Sequence, residues 1–281
     1  MTMSRISLFL LAMGAGSTLW AGTLKINGST TVNLPAAEAA EVLRKERGMD
    51  IHIDTQGGSS GGISMLGDGL VQLGMASKPV SDKDREKFPN CRFKEIAVGE
   101  DAVALIVSAD VWEGGVKAIT REQAADIYEG RIKNWSELGG PDRRIAFFNK
   151  EPGRGTWEVF AHWVYGDSKK APQVNFPEVG GNEEARSKVG GTRGALSQLS
   201  SSWVDNELIY ALGIMTKAGE VIEPVTSNIA TRKYPLSRPL FLLSNGEPTG
   251  DAKIFVEFML SAEGQKLVEK HGYLKLADLK Q

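Results

Sequence analysis

The sequence predicts an α/β protein built as two lobes. Three observations lead to this fold class: strand-like segments alternate with helix-like segments, short loops rich in glycine and serine separate them, and the 281 residues exceed the usual size of one domain. The chain is 41% hydrophobic and 24% charged, with 32 glycines and 11 prolines. This globular composition excludes a disordered, collagen-like or coiled-coil chain.

The first third of the chain has the clearest strand–helix alternation. Apolar and polar residues alternate in three segments, which predicts strands at Thr23–Asn27, Asp50–Gln56 and Val71–Ala76. Helix formers that end at a glycine predict a helix over Pro35–Gly48, and a shorter helical pattern covers Ile63–Leu70. Strand, loop and helix in repeated order are typical of βαβ units and a parallel sheet.

The rest of the chain continues this pattern. Apolar runs predict buried strands at Ala102–Ser108 and Pro239–Leu243, and a capping-box pattern at Thr120 opens a helix through Tyr128. Further strands are predicted at Arg144–Phe148, Leu208–Met215 and Val221–Val225, and further helices at Trp157–Tyr165, Asp251–Leu260 and Ala262–His271. No proline-rich linker separates two lobes, so the chain is expected to cross between them through strands.

Residues 1–21 are predicted to be a secretory signal peptide. Arg5 supplies a charged start, Ile6–Ala15 is nearly all apolar, and small residues follow up to a cleavage region near Ala21. The apolar run is too short for a finished bilayer span, and an uncleaved anchor is the alternative. The mature protein is therefore expected in the periplasm.

Charge and residue counts exclude several functional classes. The formal net charge is −2, so no basic excess favours nucleic-acid binding. The single cysteine, Cys91, cannot form an internal disulfide. His52, His162 and His271 lie far apart without metal-ligand spacing, so neither a metal nor another cofactor is expected.

Three loops share a composition that suits a small anion. Each is rich in glycine, serine or threonine and lies between a predicted strand and a predicted helix: residues 28–31, 57–62 and 153–156, with Ala76–Ser77 as a weaker fourth. A helix N-terminus presents unpaired N–H groups, and hydroxyls add further donors. Any one loop is explained by ordinary helix capping. Three together, with Arg154 in the last, favour a site for a small oxyanion.

A serine hydrolase is a competing interpretation of the second loop. Residues 57–61 read Gly-Gly-Ser-Ser-Gly, which matches the G-x-S-x-G nucleophile elbow between a strand and a helix. Later acidic residues and His271 would complete the order Ser, Asp, His. The pattern is weak in a glycine-rich chain, and a turn that binds an anion needs the same geometry.

A set of motifs in a fixed order carries a resemblance to a known family. The motifs are Gly28–Val32, Gly57–Gly62, Gly74–Ser77, Asp101–Val107, Ile127–Trp135, Gly139–Asp142, Gly153–Thr156, Tyr234–Leu240 and Ser261–Gln265. With them the sequence resembles the phosphate-specific solute-binding proteins of ABC importers, which belong to the periplasmic-binding-protein superfamily. The resemblance covers nearly all of the chain after the predicted signal peptide.

The resemblance implies a type II-like fold of two lobes, each a mixed sheet flanked by helices, joined by crossover strands. Lobe 1 is expected to comprise residues 22–101 and 233–281, and lobe 2 residues 102–232. The implied activity is not enzymatic: a monomer binds phosphate in the cleft by hinge closure and delivers it to membrane permease subunits. Another tetrahedral oxyanion, or a secreted sensor or adhesion protein that reuses the fold, stays open as an alternative.

Carried over by position, the resemblance implies a set of ligand-binding residues: Thr30, Thr31, Ser59, Ser60, Ser77, Arg154, Gly155 and Thr156. Ser29, Lys150 and Asp101 are secondary candidates. Three positions depart from the family pattern. Arg154 stands where the family loop usually has serine, Lys150 stands where an arginine is common, and Ser77 aligns with an aspartate found in some members.

Overall fold

The computed structural model describes residues 22–279, so the predicted signal peptide lies outside the described residues. The strands are β1 Leu24–Gly28, β2 Ile51–Asp54, β3 Leu73–Ala76, β4 Phe93–Ser108, β5 Ala118–Ile119, β6 Ala146–Lys150, β7 Glu178–Val179, β8 Ala195–Ser200, β9 Ile209–Met215, β10 Val221–Ile222 and β11 Ser237–Asn245. The helices are α1 Thr30–Arg47, α2 Gly58–Gly67, α3 Asp82–Lys87, α4 Ala109–Glu113, α5 Arg121–Tyr128, α6 Gly155–Tyr165, α7 Asn182–Gly190, α8 Thr226–Ala230, α9 Gly250–Leu260 and α10 Ala262–Lys270. Short 3-10 helices occur at Trp135–Leu138, Ser168–Lys170, Ser201–Trp203 and Leu276–Asp278. No helix within the described range is both long and apolar enough to cross a bilayer.

The long strand β4 connects the two halves of the molecule. Residues 93–102 of β4 pair antiparallel with β11, and β11 continues into the group β3, β1, β2. Residues 103–108 of β4 instead pair with β8 and β9, and β8 continues into β6 and β7. Parallel pairs such as β1–β3 and antiparallel pairs such as β4–β11 occur together. The predicted α/β class with mixed sheets and crossover strands is confirmed.

Each half of the molecule has its own hydrophobic core. One core packs β1 and β3 against α1, α9 and α10, with Ile26, Leu43 and Phe255 buried. The other is built around β4, α5 and α6, with Tyr128 and Phe160 buried. Burial of each such side chain contributes roughly 1.5–3 kcal/mol to the free energy of folding, so each core stabilises the half of the molecule that contains it. We call the part around the first core lobe 1 and the part around the second core lobe 2; the residue boundaries given by the sequence stay predictions.

The helices next to the predicted loops begin earlier than the sequence predicted. Helix α1 begins at Thr30 instead of Pro35, and Pro35 lies inside it. Proline has no N–H, so it leaves the Thr31 carbonyl without its helical partner. The Tyr273 hydroxyl donates to that carbonyl at 3.0 Å, which explains why the helix tolerates the proline. Likewise α2 begins within the second loop and α6 within the third, so these loops are the first turns of helices.

Some helix ends were predicted correctly from local sequence, whereas two whole elements were not. Gly48 ends α1 with φ 63°, and Thr120 caps α5 in a capping box, both as predicted. Neither α7 nor β8 was predicted from the sequence. In β8 the polar Ser197, Gln198 and Ser200 are as buried as their apolar neighbours, so no alternation in exposure marks the strand.

Candidate anion-binding site

A small polar cavity lies where the two lobes meet. Lobe 1 lines it with Ser29, Thr30, Thr31, Gly58, Ser59 and Ser77. Lobe 2 lines it with Lys150, Arg154, Gly155, Thr156, Gly180 and Asn182. The structure therefore brings together every sequence candidate except Ser60 and Asp101.

Four helices begin at this cavity, and three of them lack a side-chain cap. Ser29 caps α1 by accepting from the backbone N–H groups of Thr31 and Val32. Helices α2, α6 and α7 follow Gly57, Arg154 and Gly181, none of which makes a side-chain capping hydrogen bond. Uncapped first turns present N–H donors and the positive end of the helix dipole. Helix capping alone therefore does not account for these loops, whereas an anion at the cavity would satisfy them.

Three serine hydroxyls of lobe 1 form a hydrogen-bonded chain. The Ser29 Oγ accepts from two backbone N–H groups, so its hydrogen is donated to Ser77 Oγ at 3.1 Å. Ser77 Oγ lies 3.3 Å from Ser59 Oγ, and the Ser77 backbone N–H donates to Ser59 Oγ at 3.1 Å. Either hydroxyl can be the donor between Ser77 and Ser59; when Ser77 donates, both acceptor positions of Ser59 are used and its own hydrogen is free to donate into the cavity.

A buried arginine lies behind the cavity. The side chain of Arg238 donates from Nη1 to Thr156 Oγ1 at 3.0 Å and from Nη2 to Thr31 Oγ1 at 3.1 Å. The same guanidinium pairs with Asp101 Oδ2 through Nε at 3.0 Å and Nη2 at 2.8 Å. Arg238 lies in the Tyr234–Leu240 motif, but no role was predicted for it. The one sequence feature that could have pointed to a buried cation is its position directly before the apolar strand segment Pro239–Leu243.

Asp101 does not line the cavity. Its carboxylate accepts from Arg238 on one oxygen and from Ser200 Oγ at 2.9 Å on the other. Burial raises the pKa of Asp101, and the guanidinium of Arg238 opposes that rise. Asp101, a secondary ligand candidate, is therefore not among the residues that line the cavity, because its carboxylate is bound to Arg238 and Ser200.

Lys150 places a buried ammonium group at the cavity. Its side chain is 1% exposed, and Nζ donates to the Gly180 carbonyl at 2.9 Å and the Gly181 carbonyl at 2.6 Å. Burial, together with the nearby positive charges of Arg154 and Arg238, lowers the pKa of Lys150 to about 7. An ammonium has three donor hydrogens, so one remains for a ligand.

Arg154 closes one side of the cavity between two glycines. Its Nε and Nη2 pair with Glu151 Oε2 at 2.9 and 2.8 Å, and its side chain is 15% exposed. A Cβ on Gly58 would lie 2.6 Å from Arg154 Cδ, and one on Gly180 would lie 2.9 Å from Nη2. A side chain at either position would force the Arg154 side chain to move from its place at the cavity.

The two lobes touch closely around the cavity. A Cβ on Gly155 would lie 2.5 Å from Ser77 Oγ and 2.9 Å from Ser59 Oγ. Outside the cavity lining, the Ser60 N–H donates to the Gly153 carbonyl at 3.2 Å, and Ser60 Oγ accepts from Lys78 Nζ at 3.0 Å. Lys78 also pairs with Glu158 of α6. Ser60 thus joins the lobes instead of lining the cavity as expected.

Comparison with known proteins decides the family. The sequence profile of the PBP superfamily domain matches residues 14–263. The chain belongs to the PBP superfamily. The phosphate-binding protein PstS of Bacillus subtilis is 30% identical over 261 residues, covering 92% of this chain and 82% of the relative.

Solved structures of PBP proteins agree in fold. A phosphate ABC transporter substrate-binding protein with bound phosphate, from Clostridium perfringens, superposes with a TM-score of 0.79 at 30% identity, covering 91% of this chain and all of that chain. An ABC-type phosphate transport receptor from Vibrio cholerae gives a TM-score of 0.71 at 26% identity, covering 89% and 99%. These similarities confirm the sequence-based resemblance to phosphate-specific members of the superfamily.

The surroundings of Ser59 do not support the serine-hydrolase interpretation of the second loop. Ser59 lies in the first turn of α2 and bonds to Ser77, and no histidine of the described residues lines the cavity. His271, the predicted third member of a triad, instead lies 2.9 Å from Glu38 through its Nε2. The nucleophile-elbow pattern is therefore explained by the glycines and serines of an anion-binding helix start.

Two further lining residues escaped the sequence analysis. Asn182 begins α7 and donates from Nδ2 to Thr31 Oγ1 of the other lobe at 3.1 Å. Gly180 supplies the carbonyl that holds Lys150. Residues 180–182 read Gly-Gly-Asn before two glutamates, the same kind of glycine-rich helix start as the other loops, and this composition was the available signal.

Proposed function

We propose that this chain is the solute-binding protein of a phosphate ABC importer, which captures inorganic phosphate between its lobes. The observation that carries the proposal is the composition of the cavity wall: four helix N-termini, several hydroxyls and two cations converge, and no carboxylate side chain is among the lining residues of the described chain. A site of donors alone fits a small oxyanion. The names of the relatives in Bacillus subtilis and Clostridium perfringens support phosphate as that anion.

The proposed mechanism is hinge closure without bond chemistry, so the protein is a binding protein and not an enzyme. Phosphate meets the hydroxyls of lobe 1, and lobe 2 then brings Lys150, Arg154 and its helix starts against the anion. Closure excludes water and replaces hydration with charge-assisted hydrogen bonds. The tight contact of Gly155 with Ser77 supports a closed arrangement of this kind.

Calorimetry on refolded, ligand-stripped protein tests the proposal. We expect one phosphate per chain, with weaker binding in Ser59→Ala, which removes a cavity donor. The matched control is Ser64→Ala on the same helix, a serine that is not among the cavity lining. Native protein that gives no binding heat with phosphate, or equal affinities for native protein and Ser59→Ala, would contradict the proposed site.

A second candidate function is capture of another tetrahedral oxyanion such as arsenate, sulfate or molybdate. It is favoured by the same absence of a lining carboxylate, because an acid would repel a fully ionised anion and accept the proton of phosphate. Competition calorimetry near pH 7 with all four anions distinguishes the candidates. Ser77→Asp is expected to widen the preference for phosphate, chiefly by weakening sulfate. Native protein that already rejects sulfate by several orders of magnitude would exclude sulfate as its ligand.

We further propose that the mature protein is a periplasmic monomer that docks on membrane permease subunits, with lobe 1 at residues 22–101 and 233–281 and lobe 2 at residues 102–232. The partner class follows from the relatives named for ABC transport. Mature protein is expected to begin at Gly22 or Thr23 in a periplasmic fraction, and an intact Met1 in cytosolic extract would contradict export. Phosphate uptake by cells that lack this chain should be restored by the native gene.

A further inference from the structure

Arg238 contacts the cavity from behind without lining it. Its side chain is 2% exposed, and its two terminal nitrogens donate to Thr31 of lobe 1 and Thr156 of lobe 2. Both threonines line the cavity. One guanidinium therefore acts on hydroxyls from both sides of the cleft.

The chemistry of arginine fixes the direction of these hydrogen bonds. A guanidinium has only donors, and a hydroxyl has two acceptor positions and one hydrogen. Thr31 Oγ1 accepts from Arg238 and also from Asn182, so both acceptor positions are used and its hydrogen is left to donate. Thr156 Oγ1 has one acceptor position used by Arg238, which favours the same direction. The Thr31 hydroxyl is thereby set as a donor, and the Thr156 hydroxyl is biased toward donation.

The position of Arg238 is itself fixed by Asp101. The two residues are direct cross-strand neighbours, Arg238 on β11 and Asp101 on β4, one residue before β4 leaves β11 for β8. The paired Nε and Nη2 groups hold the guanidinium at Asp101 Oδ2, and Ser200 holds the other carboxylate oxygen. The guanidinium is therefore anchored where the chain crosses between the lobes.

We propose that Arg238 is a positioning residue that sets the hydrogen-bond polarity of the cavity. It does not touch the anion; it biases Thr31 and Thr156 toward donation, which favours anion oxygens without a proton. This inference rests on the proposed function. Its consequence is specificity: Arg238 determines how the site ranks sulfate, which has no proton near pH 7, against phosphate, which has at least one.

The test compares sulfate and phosphate binding by calorimetry at pH 7. The double variant Asp101→Leu/Arg238→Met removes the whole pair, so no unpaired charge is left buried. Arg238→Lys is a second variant. It keeps a positive charge beside Asp101 but lacks the planar guanidinium that spans both threonines. Arg232→Met is the matched control, since Arg232 is an exposed arginine whose one ion pair within residues 22–279 is with Glu100 at 3.8 Å.

In both Arg238 variants we expect the Thr156 hydroxyl to rotate and accept, and the Thr31 hydroxyl, which still accepts from Asn182, to be held less firmly as a donor. Sulfate affinity should then fall by a further factor of about 3 to 10 beyond any loss of phosphate affinity, the size of one hydrogen bond. Arg232→Met should keep the native ratio. In addition, Thr31→Val should weaken sulfate binding about tenfold in the native background and threefold or less in the double variant.

The outcomes separate this inference from the function on which it rests. Native protein that binds neither anion overturns both. Native protein that binds phosphate, with Arg238 variants that lose sulfate and phosphate by the same factor, overturns only the positioning role, because a purely structural arginine would weaken both anions alike. If the double variant does not fold, the ratio in Arg238→Lys decides alone.

Discussion

The two faces of the cavity differ in chemistry. Lobe 1 contributes hydroxyls and helix N–H groups without any charged side chain, and lobe 2 contributes the two cations, Lys150 and Arg154. The hydroxyl face is organised within lobe 1 by the chain from Ser29 to Ser59. The cationic face reaches an anion held there only when the lobes meet. Neither lobe alone supplies all of the lining residues, and in the proposed mechanism the cations of lobe 2 favour closure on an anion held by lobe 1.

Contact between the two faces is the feature with the largest expected effect when changed. Gly155→Ala puts a methyl group 2.5 Å from Ser77 Oγ and 2.9 Å from Ser59 Oγ, so the lobes cannot meet in the same way. We expect phosphate affinity to fall by about a hundredfold, the upper range for an added methyl group in a packed contact. Calorimetry measures it.

Gly181→Ala is the matched control for this contact. Its Cβ would lie 3.7 Å from Thr30 Cγ2 of the other lobe, an ordinary contact distance, at a φ of −68° that any residue adopts. It should bind phosphate within about threefold of native protein. Equal losses in the two variants would mean that closure does not depend on the approach of Gly155.

The two cations of lobe 2, Lys150 and Arg154, are expected to have the next largest effect on phosphate affinity. The buried Nζ of Lys150 donates to the carbonyls of Gly180 and Gly181, whereas Arg154 already has Glu151 as a counter-charge. Loss of a charged hydrogen bond costs about 1.5–3 kcal/mol, so each of Lys150→Met and Arg154→Met should weaken phosphate binding roughly tenfold to a hundredfold, with the larger loss at Lys150. Arg154→Lys should recover part of the loss, since it keeps charge but not the fork. Unchanged affinity in Arg154→Met with a crippled Lys150→Met would show that Arg154 serves Glu151 and not the anion.

Lys150 also predicts how binding depends on pH. Its pKa falls from 10.5 in water to about 7 in the fold, so above pH 7 the empty site has lost a proton that the unfolded chain keeps, and stability of this form should rise with pH over that window. An anion restores the charge and therefore takes up a proton on binding. Phosphate affinity should fall by up to about tenfold per pH unit from pH 8 to 9, where the charge of phosphate itself changes little.

Calorimetry in two buffers of different ionisation enthalpy measures this proton uptake. Lys150→Met is the control and should show no uptake. Native protein that takes up no proton at pH 8 would mean that Lys150 stays charged before the anion arrives, and the cationic face would then be preformed.

The smallest expected effect concerns closure contacts outside the cavity. Lys78 of lobe 1 is 6% exposed and joins Glu158 of lobe 2 while donating to Ser60. Lys78→Met should weaken phosphate binding about three- to tenfold, because a half-buried ion pair assists closure without touching the anion. The loss should be the same for phosphate and sulfate. A change in their ratio would indicate that Lys78 reaches the ligand after all.

Much of the fold was predictable because it is encoded locally. Alternation in β1 and β2, the apolar run in β4, the glycine that ends α1 and the capping box of α5 all appear within short windows of sequence. The start of α1 was not predictable, because Pro35 is tolerated only through Tyr273, which is 238 positions further along the chain. Strand β8 was missed because tertiary packing buries its polar residues together with its apolar ones.

The α/β class, the donor-rich loops and most residues of the cavity wall could be predicted from the amino-acid sequence alone. A glycine- or serine-rich helix start is a local signal, and the resemblance to the PBP superfamily placed those signals in order. Which polar residues face the cavity and which face each other depends on contacts between distant parts of the chain. Arg238, Asp101 and Ser60 show the physical reason: whether a hydroxyl or a charge is free for a ligand depends on which partners the fold brings within about 3 Å, and those partners are far away in sequence.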